Sequence, residues 1–150
     1  MAWPDTLQKP EPAQVEQLLT RFWQQLTNLP DLINRDEQLL AQECTAHLRQ
    51  TVIEMMLALN GIQRPSETAH LNTYLGESQR IALEKTLHVP EVSSESWIGQ
   101  AVALVVIYRW YAPQLMERYR LTYPQALEDQ VWSELMDQLP DWPQSVTTES

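Results

Sequence analysis

Three glutamate–histidine pairs are the first residues in this chain whose types and spacing suggest reactivity: Glu43 with His47, Glu67 with His70, and Glu84 with His88. On a helix, residues three or four apart share one face. Glu67-Thr-Ala-His70 has the Glu-x-x-His spacing that carboxylate-bridged di-iron bundles use, but those sites need two such motifs and two further glutamates. The other two pairs could chelate zinc, yet neither shows a third ligand. A metal-dependent helical enzyme built on these six residues is therefore an alternative reading with an incomplete ligand set.

Cys44 lies one turn from His47, so a thiol–imidazole pair is conceivable. It also sits on an apolar stripe, where cysteine behaves as a small hydrophobe. The glycines Gly61, Gly76 and Gly99 stand alone, so no glycine-rich turn supplies an oxyanion hole or a phosphate cradle. No catalytic residue is assigned on this basis, and no cofactor.

Arg109 stands out differently. It lies in Ile107-Tyr-Arg-Trp-Tyr111, inside the most apolar segment of the chain. A charge there must pair, reach the edge or face a pocket. The plain expectation is an ion pair with a glutamate of a neighbouring helix. The functional one is an anion anchor among aromatics, with Tyr108, Arg109 and Tyr111 as a small-ligand pocket.

Tryptophan supplies the remaining candidates. Trp23 and Trp132 border their helical stripes, and Trp142 lies in Pro140-Asp-Trp-Pro143. Tryptophan is favoured at binding hot spots. With Arg109, these three are the expected partner-binding residues.

The elements that must carry these residues follow from periodicity. Val15, Leu18, Leu19, Phe22, Leu26 and Leu29 form one helical face after Pro12, ending near Pro30. Leu40, Cys44, Leu48, Val52, Met55 and Leu59 form a second, stopped by Gly61. Short helices are expected after Ser66 and after Ser78, on either side of Gly76, with a loop over 89–94. The segment around Gly76 has the outline of a helix-turn-helix, but its second helix is not basic. Trp97 to Tyr119 keeps helical spacing and is apolar almost all round, which predicts a central helix, kinked or split at Pro113. Thr122 and Gln125 suggest a capping box for a last helix bearing Leu127, Val131, Leu135 and Leu139.

The sequence thus predicts an all-α, compact bundle of five or six helices with a central apolar helix near 95–119. An extended N-terminal arm is expected over 1–11, a helical domain over 12–143, and a disordered acidic tail over 144–150. Composition agrees: 43% of the 150 residues are hydrophobic and only 3 are glycine.

The formal net charge is −10, and no basic residue follows Arg120. Such a chain repels phosphate backbones, so neither nucleic acid nor an anionic membrane is an expected partner. The longest apolar run, Ala101 to Tyr108, is far short of the ~20 residues a membrane span needs. A single cysteine and no N-terminal leader pattern suggest the cytoplasm. Together these features point to a non-catalytic interaction module: an adaptor, assembly factor or regulator. Its expected partner is another protein, with a basic surface suited to the acidic C-terminal end, and a homo-oligomer is a further possibility.

Overall fold

The computed structural model describes residues 3–87 and 91–144. Within them the chain is all-α. The helices are α1 (Pro12–Leu26), α2 (Leu29–Asn34), α3 (Gln38–Leu59), α4 (Leu71–Tyr74), α5 (Glu77–Lys85), α6 (Ser94–Tyr119) and α7 (Gln125–Gln138). Since α4 is a single turn, six helices of useful length make the bundle.

Pro12 starts α1, and the Gln14 side chain accepts the Glu11 N–H at 3.0 Å, supplying one of the partners that a helix start lacks. Val15, Leu18, Leu19, Phe22, Trp23 and Leu26 are all buried along it. The segment ends at Leu26, just ahead of Pro30, and Pro30 lies in the first turn of α2, where its missing N–H costs nothing and it is buried with Leu29.

α3 is buried on several faces and packs against α1, α2, α5 and α6. Gly61, at φ +81°, takes the left-handed conformation that ends it. α6 runs parallel to α3. The Trp97 indole donates to Gln38 Oε1 at 2.5 Å near their N-terminal ends, and Arg118 donates to the Leu59 carbonyl near their C-terminal ends. The expected apolar helix is therefore present and shares the centre of the bundle with α3. Pro113 neither splits it nor ends it. The proline lies on the exposed side of the helix, where its ring meets solvent rather than a packed neighbour.

The last two helices start in different ways. α6 starts with the Ser93 hydroxyl accepting from the Ser96 N–H at 3.2 Å. α7 starts after Pro124 without a Thr122 capping box, and Gln125 instead donates to Glu128 and Asp129.

The N-terminal segment runs along the bundle in extended form. Gln63 N–H donates to the Gln8 carbonyl at 2.8 Å, and the Asp5 carboxylate accepts from Thr68 and Tyr74, each at 2.6 Å. These hydrogen bonds hold the Asp5 carboxyl below its usual range. The tail expected over 144–150 lies outside the described residues, except for Gln144. No helix among the described residues is long and apolar enough to cross a membrane.

Candidate functional site

α7 packs against α1 and α2 rather than along α6, which leaves a furrow between α6 and α7. Its α7 wall presents Glu128, Asp129, Trp132, Ser133, Glu134, Met136 and Asp137, and Arg109 enters from α6. The groove is open to solvent and has a volume of about 630 Å³. Four carboxylates and one guanidinium line it, and of the four Glu128 pairs with Arg109, so the lining is net negative.

Arg109 Nε lies 3.4 Å from Glu128 Oε1, and its guanidinium carbon lies 4.6 Å from the centroid of the Trp132 ring. The ion pair with a neighbouring helix expected from sequence is thus present. Trp132 in turn meets Trp142 edge to face at 5.4 Å. Glu128 also accepts from the Tyr123 hydroxyl at 3.1 Å and from Gln125 at 2.7 Å. Glu134 accepts from Thr27 at 3.0 Å, which ties the groove floor to α1.

Tyr123 links this surface to the core. The Trp23 indole N–H lies 3.0 Å from both the Tyr123 and the Tyr108 hydroxyls, and Tyr108 donates onward to the Leu19 carbonyl at 2.8 Å. Burial pushes the Tyr123 hydroxyl up to about 12 and drives Tyr108 higher still, so both stay protonated donors. A second groove, about 390 Å³ and mostly apolar, adjoins on the far side of the Arg109–Glu128 pair, lined by Ala112, Pro113, Met116 and Tyr123.

Among the residues singled out from sequence, Arg109 and Trp132 meet in the groove. Trp23 and Trp142 do not offer a partner surface. Trp23 is 0% exposed and Trp142 4%, because each closes an aromatic cluster. Tyr108, Arg109 and Tyr111 do not share a pocket either. Successive helical residues point about 100° apart. Tyr108 faces the core, Arg109 turns to α7, and Tyr111 lies half-buried toward Gln79.

The glutamate–histidine pairs stay separate. Glu43 and His47 are exposed on α3, while Glu67 and His70 precede α4 and share no helical face. His88, the partner of Glu84, lies outside the described residues. Among those described, no group of three or more His, Cys, Asp or Glu could hold a metal ion. Cys44 is buried, and burial pushes its thiol up to about 11, which disfavours the thiolate a nucleophile needs.

Glu128, Asp129, Glu134 and Asp137 escaped assignment as a site. Their signal is the run of acids after Arg120, which the sequence assigns to docking a basic protein surface rather than to a groove.

The family model described as streptomycin adenylyltransferase matches residues 4–138. No curated protein matches the chain, and no solved structure does. The family match overturns the expectation of a non-catalytic adaptor, assembly factor or regulator, because the family is named for an enzyme. That expectation rested on finding no complete catalytic motif in the sequence. Matched from the N-terminal segment to the last residue of α7, the chain belongs to the streptomycin adenylyltransferase family.

Proposed function

We propose that this chain takes part in adenylyl transfer to a polycationic acceptor, and that the α6–α7 groove binds the acceptor. The observation that carries the reading is the groove's four carboxylates in a chain whose family is named for streptomycin. Streptomycin bears guanidine groups that are cationic at neutral pH. Guanidinium pairs with carboxylate through parallel charge-assisted hydrogen bonds. The Trp132 ring, already stacked under Arg109, adds an aromatic surface for a second cation.

In adenylyl transfer an acceptor hydroxyl oxygen bonds to the α-phosphorus of a nucleoside triphosphate. The bond to the bridging oxygen breaks, pyrophosphate leaves, and the hydroxyl proton passes to a base. The groove's part is to hold and orient the acceptor, which brings the rate gain of fixed geometry. The triphosphate and its divalent cation need clustered carboxylates and converging backbone N–H groups. The described residues do not fit that requirement, since they form no metal-holding group and their glycines lie in separate elements. The proposal therefore assigns the nucleotide no residue of this chain.

Titration calorimetry with streptomycin tests the reading. Saturable binding that weakens with added salt, and weakens again in the double variant Glu134→Gln, Asp137→Asn, is the expected result. Binding indifferent to both changes, or none, removes the groove as the acceptor site.

A further inference from the structure

A cation of the acceptor would find the face of the Trp132 ring already taken. The Arg109 guanidinium carbon lies over that ring, 4.6 Å from its centroid, with Nε 3.4 Å from Glu128 Oε1. An aromatic face beside a carboxylate is what a guanidinium ligand itself seeks. The chain's own cation therefore sits where the groove best suits the ligand's.

This seat is held in place by contacts other than those to Arg109. Glu128 stands in the first turn of α7, where the helix dipole favours a carboxylate. Its Oε1 accepts from the Tyr123 hydroxyl at 3.1 Å and its Oε2 from Gln125 at 2.7 Å. A carboxylate offers about four acceptor positions, so each oxygen keeps one for a guanidinium N–H. Trp132 is braced edge to face by Trp142 at 5.4 Å. The approach of Arg109 Nε to Glu128, at 3.4 Å, is longer than the about 2.7–2.9 Å of a charge-assisted hydrogen bond. A ligand guanidinium that sets two parallel N–H groups on Glu128 makes the stronger contact.

The displaced side chain has room. The second groove, about 390 Å³, opens on the far side of the pair, and apart from Arg109 it is lined by no cation. The Arg109 stem can lie along Ala112, Pro113 and Met116 there, with its head in water. Arg109 and Glu128 line both grooves, so moving the arginine joins the two.

We propose that Arg109 determines specificity: it fills the Glu128–Trp132 seat as an internal surrogate, and a guanidine of the acceptor enters by displacing it. The seat then selects guanidine-bearing acceptors over those whose cations are all amines. An ammonium is compact and strongly hydrated, and it offers neither a planar face to Trp132 nor a fork to Glu128. It does not offset the loss of the Arg109 contacts.

This inference rests on the acceptor reading, and its test separates the two. Proton–nitrogen-15 NMR of the full chain follows the Arg109 Nε–H signal, identified by its absence from Arg109→Lys, with calorimetry on the same sample. In the free protein the Trp132 ring current is expected to shift that signal upfield of exposed arginines such as Arg35, whose side chain is 61% exposed. Saturating streptomycin is expected to move it to their position. Spermine, a polycation with amines alone, is expected to leave it in place. A signal that stays upfield while calorimetry shows streptomycin bound overturns the exchange and leaves the acceptor groove standing. A signal unshifted in the free protein, or one that moves equally with spermine, also overturns the proposal. No streptomycin binding removes the acceptor reading, and this inference with it.

Discussion

The hydroxyl of Tyr123 donates to the carboxylate of Glu128 at 3.1 Å, so the charged wall of the groove hangs on the aromatic core beneath it. The same hydroxyl receives the Trp23 indole N–H. Tyr123→Phe removes the link while keeping the ring. A hydrogen bond to a charged group is worth about 1.5–3 kcal/mol, and solvent reaching Glu128 lowers that toward ~1 kcal/mol. We expect a loss of about that size in urea unfolding. We also expect weaker streptomycin binding, because Glu128 is then held by Arg109 and Gln125 alone. Unchanged stability and affinity would show that the link orders nothing.

Trp23 distinguishes a core residue from a binding one. Its ring meets Phe22 and Tyr108 edge to face at 5.4 and 5.3 Å and is fully buried. Trp23→Ala should cost about 3–5 kcal/mol, as large aromatic truncations do. Chemical denaturation checks this, and a near-neutral result would return Trp23 to the surface.

Arg109 is held by shape as well as charge. Arg109→Lys keeps the charge but cannot place a guanidinium over the Trp132 ring or reproduce the Nε approach to Glu128. The expected loss is about 0.5–2 kcal/mol, the range of such cation–π contacts. Arg109→Met removes a positive charge from the groove and should tighten the binding of a cationic ligand. Calorimetry on both variants separates the two effects, and weaker binding in Arg109→Met would make Arg109 itself a ligand contact.

Asp5 gives a pH signature. Its folded carboxyl is held below the unfolded value by hydrogen bonds from Thr68 and Tyr74. The stabilisation is therefore complete above the unfolded value, about 3.9, and is lost as pH falls through the lower folded value. Melting temperatures followed from neutral to acid should drop less steeply in Asp5→Asn than in the wild type. Parallel curves would show that the N-terminal segment contributes nothing to acid sensitivity.

The exposed glutamate–histidine pairs make a contrasting case. Glu43→Ala and His47→Ala remove side chains from the solvent face of α3. Each should move stability by no more than about 0.5 kcal/mol. A larger effect, or a transition metal that co-purifies and is lost with His47, would restore the metal reading.

Much of the architecture was legible in the chain itself. The stripes of α1 and α3, the stop at Gly61 and the length of α6 all follow from local rules of period and cap. The errors were equally local in origin. Pro113 does not split α6, because a proline is tolerated on an exposed helix face, and Leu29, placed on the first helix by its period, opens α2 instead. Trp23 was set at the edge of its stripe, because periodicity along α1 does not reveal that Tyr108 and Tyr123 arrive to cover that edge.

By itself the sequence determined that the chain is helical, where most helices run, and that its C-terminal part is acidic. These depend on neighbours within a few residues, and such neighbours are printed in order. Only the tertiary structure decided that Glu128 of α7 pairs with Arg109 of α6, that Trp142 closes on Trp132, and that Tyr108 and Tyr123 meet the Trp23 indole. An apolar period says that a residue prefers burial, and a charge says that it needs a partner. Which residue answers either demand depends on distance through space, and chain folding sets that distance independently of separation along the sequence.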